Sequence, residues 1–419
     1  MTDRGLLAVA IFSLVYLIIL AGENSPRKLD RPAASLVGAV LMIVAGVLTR
    51  REAAQAIDLA TLALLLGMMI VIHYAIISGL LDMLARTLVH RSRTPGQLLW
   101  VVCGTSGLLS ALFVNDTICL LMTPLILSVA RRAKLPAEPY LLALATSSNV
   151  GSVMTLTGNP QDILIGQSSH WSWGGYAARM VPIGLICLFL NGAIVRWLYA
   201  KQLVGLQMPT ENTPPEREGR LDRKLAIKTG GVLSGLLIAF LAGAPMDLAA
   251  LCAAVALLIW ANRPTEETFA RVDWALLLFF AGLFVVVDGV NRAEGPVFAR
   301  LAPLLFHNAG SLAQLSLFSL ASVVGSNLFS NVPFVMLARG WVATHTQASL
   351  LWLVLAASST FAGNLTLLGS VANLIVAQGA KEECPLGFWP FLKVGIPSTL
   401  VTTFAATLML WVYRQLGLV

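Results

Sequence analysis

The chain has 419 residues, of which 57% are hydrophobic and 12% charged, with mean hydropathy +0.79. That is about half the charged share of an ordinary soluble domain, too little polar surface to cover a soluble fold of this length. The net charge of +7 comes from 28 Lys and Arg in short clusters between apolar runs, not from one basic face, which argues against a nucleic-acid binder. Five cysteines, an odd number with no CxxC pair, exclude a disulfide scaffold. A polytopic helical membrane protein remains.

A membrane-spanning helix needs about 20 mostly apolar residues. In chain order the expected spans are Leu6 to Ala21, Ala33 to Leu48, Ile57 to Gly79, Tyr176 to Ala200, Leu225 to Gly243, Leu248 to Trp260, Val272 to Val290 and Phe388 to Val412. Pro139 to Gln167 and Ala348 to Gln378 are long but broken by Gly, Asn, Pro and Ser, and each counts as one discontinuous span, giving ten. Gln97 to Ala130 and Ser311 to Val342 are too long for one span and too short for two, and each is interrupted at its centre, by Asn115-Asp116-Thr117 and by Ser330-Asn331-Val332-Pro333. These read as re-entrant hairpins, because irregular backbone at membrane depth must be buried in protein or line a wet cavity. The first apolar run has no cleavage pattern after it and reads as a span, not a leader.

The two halves repeat. At an offset of 211, Ser147, Ser148, Thr155, Leu156, Gly158 and Gln167 meet Ser358, Ser359, Thr366, Leu367, Gly369 and Gln378. At 216, Ser110, Leu112, Phe113 and Asn115 meet Ser326, Leu328, Phe329 and Asn331; at 215, Asp58, Ala60, Leu62, Gly67 and Val71 meet Asp273, Ala275, Leu277, Gly282 and Val286. Residues 1–200 form the first repeat (1–95 and 96–200 as its two parts), 201–224 a hydrophilic linker, and 225–419 the second repeat (225–308 and 309–419). Five spans per repeat is odd, so the repeats are inverted. With both termini outside, 20 of the 28 basic residues fall on the inner side, including Arg27, Arg31, Arg131 and Arg223, and 8 outside.

Four polar clusters lie at expected mid-membrane depth, two at hairpin tips and two at helix breaks: Asn115-Asp116-Thr117, Thr155 to Asp162, Ser326 to Pro333 and Gly363 to Asn373. Half-helix N-termini favour anionic or oxygen-rich ligands, and Asn, Ser, Thr and carbonyl oxygens suit Na+. The substrate candidates are Asn115, Thr117, Thr157, Gly158, Asn159, Ser330, Asn331, Thr366, Gly369 and Ser370; the ion-coupling candidates are Asp116, Asp162, Asn364 and Asn373. Such residues also glue helices together, and Asp116 or Asp162 could serve a helix N-terminus. Asp116 stands out because an aspartate at a span centre is costly to insert, about 2.5–3.5 kcal/mol; Val332 occupies its position in the second repeat. Asp58 and Asp273 read as N-caps, and His73 and Asp288, at aligned positions near span ends, as structural residues that pair locally or face the interface. No nucleophile–base pair, HExxH or nucleotide-binding loop is present, so an enzyme is not expected; a channel is the other rival.

VNDTICLLMTP, TLTGNPQDILIG, SNVP and GNLTLLGSVANLIVA resemble the ion transporter superfamily, over nearly the whole chain. The Asn-Asp hairpin followed by Thr-Pro is most similar to its arsenite/antimonite efflux permeases; sodium/proton antiporters and divalent-anion/sodium symporters are related branches. The resemblance implies an all-α protein of ten spans and two hairpins in a bacterial inner membrane. The first three spans of each repeat would form a scaffold and a homodimer contact, and the hairpins and last two spans would move as an elevator. It implies no cofactor, H+ or Na+ as coupling ion, the bilayer and a small ion as partners, and room for a separate ATPase subunit. The alternatives are a sodium-coupled carrier of a small inorganic or carboxylate anion and a sodium/proton antiporter.

Overall fold

The computed structural model describes residues 3–21, 30–89, 92–204, 206, 221–294 and 310–419; most of the expected linker lies outside them. Among these residues the chain is all-helical. The first half runs α1 (Asp3–Ala21), α2 (Arg31–Val44), α3 (Arg50–Ala56), α4 (Leu59–Ile77), α5 (Leu80–Val89), α6 (Pro95–Leu112), α7 (Asn115–Arg132), α8 (Glu138–Ser152), α9 (Pro160–Ser168), α10 (Trp173–Leu198) and α11 (Ala200–Leu203). The second runs α12 (Arg223–Leu241), α13 (Met246–Trp260), α14 (Thr265–Phe269), α15 (Trp274–Glu294), α16 (Leu312–Phe329), α17 (Asn331–Thr344), α18 (Ala348–Ala362), α19 (Val371–Gly379) and α20 (Phe388–Gln415).

Local chemistry sets these boundaries. Asp30, Asp58, Asp222 and Asp273 each accept a backbone N–H three residues on, at the starts of α2, α4, α12 and α15, as short polar side chains do at N-caps. Pro32, Pro95 and Pro160 open α2, α6 and α9, where the missing N–H costs nothing. Gly79 and Gly243, at φ +75° and +83°, turn the chain after α4 and α12, in backbone only glycine adopts freely.

Among the described residues, seven helices are long and apolar enough to cross a membrane: α4, α6, α10, α12, α15, α16 and α20. Two of them, α6 and α16, are first arms of the expected hairpins. The arms of the first hairpin are each 18 residues, about 27 Å, longer than the sequence pattern implied, because the helices continue into polar residues that a hydropathy window discounts. The tip between α6 and α7 nevertheless meets the gap between α8 and α9: Asn115 N donates to Gly158 O at 3.1 Å, and Thr155 Oγ1 donates to Ala111 O. The sequence reading also omitted the short helices α3, α5, α11 and α14.

The repeat is visible in the packing. Helix α2 lies on α15, and α4 lies on α13. At an offset of 215, α2 and α13 begin at aligned positions, Arg31 and Met246, and share Ala34/Ala249, Leu36/Leu251, Ala39/Ala254 and Val40/Val255. The two contacts are built alike. A Cβ on Gly67 would lie 2.7 Å from the carbonyl carbon of Ala250, and one on Gly282 would lie 2.7 Å from that of Ser35. Both glycines and both partners are related by 215 residues, so backbone touches backbone twice by one rule. Elsewhere α6 packs on α8 and α16 on α18, while α9 reaches across to α17 and α19 across to α7.

Of the aligned residues His73 and Asp288, the second pairs locally. Asp288 accepts from Arg292 Nε at 2.5 Å, and His73 stands edge-on to Tyr74.

Candidate functional site

The two hairpin tips and the two helix breaks meet. A cavity of 210 Å³ is lined by Asn115 and Asp116 from the first tip, Ser330, Asn331 and Val332 from the second, Pro160 and Gln161 from the first break, and Gly369, Ser370 and Val371 from the second. Its opposite wall comes from helix starts far away in sequence: Arg31 and Pro32 of α2, and Asp273, Ala275, Leu276, Phe279 and Phe280 in and before α15.

Both tip asparagines, Asn115 and Asn331, are buried and have side-chain oxygens without a hydrogen-bond partner. Buried oxygens left open at aligned positions beside a cavity are acceptors available to a ligand. Ser330, between α16 and α17, has φ +71° and ψ 156°, a region almost confined to glycine, where a side chain costs about 1–3 kcal/mol. Its counterpart Val114 has φ −50°. Asp116 is not a helix cap: Val114 holds that place on α7 and makes no side-chain bond.

Beneath the cavity lies a buried polar layer built twice. On one side Asn149 Nδ2, at the end of α8, donates to Asn364 Oδ1 (2.9 Å) and Asn373 Oδ1 (3.1 Å). Asn149 Oδ1 accepts from Asn115 Nδ2 (2.9 Å) and Ser370 Oγ (3.0 Å). On the other side Thr360 Oγ1, near the end of α18, accepts from Asn159 Nδ2 (3.3 Å) and donates to Asp162 Oδ2 (3.5 Å). At an offset of 211, Asn149 aligns with Thr360, Asn159 with Ser370 and Asp162 with Asn373, so the contacts are repeat-related too. Each joins the end of one repeat's first half-helix to the start of the other's second. Asn159 also caps α9, accepting from Asp162 N (2.8 Å) while its Nδ2 donates to Asp162 Oδ2 (2.6 Å). The layers differ in charge: one contains a carboxylate, Asp162, fully buried with Oδ1 unpartnered, where the other has the amide Asn373. No ion pair among the described residues involves Asp162.

The structure therefore sorts the expected site residues. Asn115, Asp116, Ser330, Asn331, Gly369 and Ser370 line the cavity. Asn159, Asp162, Asn364 and Asn373 lie in the buried layer, and Thr366 O accepts from Asn373 Nδ2 (3.1 Å). Gly158 is used for closeness: a Cβ there would fall 2.0 Å from Ser152 O. Thr117 and Thr157 are not on the cavity wall; Thr157 Oγ1 accepts from Trp173 Nε1 at 3.3 Å on another face. Sequence reading missed Asn149, Thr360, Gln161, Arg31 and Asp273 as site residues. For Asn149 and Thr360 the signal was present: they follow directly on the repeated Ser147-Ser148 and Ser358-Ser359. Asp273 is the expected N-cap and lines the cavity as well. No Arg or Lys sits within the four clusters, but the fold brings Arg31 to the cavity they line.

A family profile described as citrate transporter matches residues 15–362. The chain belongs to that family. A silicon efflux transporter of Oryza sativa subsp. japonica is 34% identical, across 90% of this chain and 91% of that protein. A putative transporter arsB of Dictyostelium discoideum is 25% identical, across 93% of this chain and 89% of that protein. Among solved structures, the YdaH transporter of Alcanivorax borkumensis superposes with TM-score 0.63 at 16% identity, covering 99% of both chains. The citrate transporter family lies within the ion transporter superfamily, and the chain is a multi-pass secondary membrane transporter.

Proposed function

We propose that this transporter exports a small, uncharged polyhydroxy oxyacid, with arsenite and antimonite as leading substrates and silicic acid in the same class, in exchange for protons. The observation that carries this is the cavity lining. Two carboxylates, Asp116 and Asp273, stand against one guanidinium, Arg31, among neutral amides and hydroxyls. A bare polycarboxylate would meet a net negative wall out of bulk water, where like charges cost most. An uncharged oxyacid offers O–H donors to the open Asn115 and Asn331 oxygens and to the carboxylates, and oxygen acceptors to Arg31 and Gln161. The names of the silicon efflux and arsB relatives agree with this class. The family description names citrate, and a sodium-coupled carboxylate carrier is the second reading; it needs bound cations to offset Asp116 and Asp273.

In this reading the hairpins, the broken helices, α10 and α20 move together past a fixed frame of α1, α2, α4, α12, α13 and α15. The repeat-swapped polar layer holds the moving parts as one body. Asp116, on the cavity wall, couples proton and substrate, because a proton there meets the same space as the ligand. The test is uptake into everted vesicles of arsenite, antimonite, silicic acid, phosphate, sulfate, succinate and citrate, each under proton and sodium gradients. Proton-dependent accumulation of the oxyacids supports the reading; accumulation of citrate or succinate alone, driven by sodium, replaces it. Asp116→Asn is expected to lose proton-driven accumulation, and unchanged pH-driven transport would remove Asp116 from the coupling role.

A further inference from the structure

The wall of the cavity opposite the tips and breaks is made of two helix starts, those of α2 and α15, and its charged members are Arg31 and Asp273. Because the repeats are inverted, a second pair of helix starts occupies the matching place at the other end of the frame. These are α13, which packs on α4, and α4 itself. Position by position at an offset of 215, Arg31 corresponds to Met246, Pro32 to Asp247 and Asp273 to Asp58. One rim therefore carries a guanidinium and a carboxylate. The other carries a thioether and two carboxylates, with no cation at the aligned positions. In this structure the cavity is built against the Arg31 rim. The methyl of Met246 is packed on α9 instead, 2.9 Å from where a Cβ on Gly166 would stand.

In the moving-site reading the polar layer, the tips and the breaks travel with the site, whereas the two rims stay fixed and differ in chemistry. A site that moves between them would meet the same mobile partners at each end and different fixed ones. Arg31 can donate in a fork to oxygens of the bound molecule, and no ion pair among the described residues ties it up. At the opposite rim Met246 offers no donor; Asp58 caps α4 as Asp273 caps α15, so the carboxylates do not distinguish the rims and the guanidinium does.

We propose that Arg31 is a side-specific affinity determinant: it contacts the oxyacid only when the cavity faces the α2–α15 rim, making that face the tight-binding, loading face and the Met246–Asp58 face the weak, releasing one. This rests on the moving-site reading given above. It does not alter the driving force, which the gradients set; it sets the concentration at which each face half-saturates. By the positive-inside distribution the Arg31 face is the cytoplasmic one, as an exporter requires.

The test is the half-saturating concentration of arsenite counterflow, measured separately from each face in everted and right-side-out membrane vesicles of the full-length chain. In Arg31→Met, which reproduces the Met246 rim, it is expected to rise about tenfold at one face, as loss of a charge-assisted hydrogen bond implies, and to stay within about twofold at the other. Arg31→Lys is expected to recover most of the loss, and Arg31→Gln provides an uncharged polar variant should the Met variant assemble poorly. An equal rise at both faces, or none at either, overturns the inference while leaving the function intact. A parent chain that carries none of the oxyacids removes the function, and this inference with it.

Discussion

Asn149→Ala should be costly for both stability and transport. The side chain makes four hydrogen bonds in a layer where Asn364 and Asn373 are fully buried and Asn115 is 4% exposed. The partners cannot re-pair by flipping their amides. Asn364 Nδ2 is already given to Thr146 O (3.1 Å), and Asn373 Nδ2 to Gly363 O (2.7 Å) and Thr366 O (3.1 Å). Side-chain bonds inside membrane proteins average about 0.6 kcal/mol each, so four of them give roughly 2–3 kcal/mol, the upper side being favoured because the buried groups of Asn115, Asn364 and Asn373 lose their partner, while Ser370 Oγ keeps Ala372 N. Asn149→Asp should be worse, since it turns two N–H···O bonds into oxygen facing oxygen. Asn191→Ala is the matched control. Asn191 bonds Thr146, Ser147 and Ser398 and is not on the cavity wall, so its loss should lower stability without moving the half-saturating concentration of counterflow. Reversible unfolding in mixed micelles gives the first quantity, and vesicle counterflow the second. An Asn149→Ala protein with parental stability and parental half-saturation would show that the layer does not hold the site together.

Three further outcomes are expected. Ser330→Gly should stabilise the purified protein by about 1–3 kcal/mol, seen as a higher unfolding midpoint, and weaken oxyacid binding by removing the hydroxyl; a lowered midpoint would refute the strain argument. Gly67→Ala and Gly282→Ala should each cost about 1–3 kcal/mol, because a methyl at 2.7 Å from backbone carbon cannot be met by rotating a side chain; the two should cost similar amounts, and a large difference between them would contradict the equivalence of the α4–α13 and α2–α15 contacts. Asp162→Asn reproduces the amide found at Asn373 and should fold and exchange substrate, but with altered ion dependence of net accumulation; parental dependence under both proton and sodium gradients would remove Asp162 as a coupling site.

Much of this architecture was legible in the sequence because the membrane leaves few alternatives. Polar residues inside apolar runs must be buried together, so Asn115, Asn331, Gly369 and Ser370 could be expected to converge before any geometry was known. The repeat did the rest, since it gives each feature a partner at a fixed offset. What stayed hidden depended on side-chain direction or on contact between distant helix starts. Asn149 follows the repeated Ser147-Ser148, which marks its position but not its bonds, since three of its four partners lie in the other repeat. Thr117 and Thr157 share local sequence with cavity residues, but neighbouring positions on a helix or bend face different ways. Arg31 and Asp273 have the pattern of residues at helix ends, and Asp273 is indeed a cap; that they wall the cavity follows from how α2 packs on α15, which no local pattern records.

The central claim is that the cavity between tips and breaks carries an uncharged oxyacid by alternating access. Counterflow in proteoliposomes of the purified chain, with no ion gradient imposed, tests it most directly. Internal antimonite is predicted to accelerate entry of external arsenite, saturably, while internal citrate does not. Arsenite entry that rises linearly with concentration and ignores internal antimonite, or citrate exchange in its place, would contradict the account.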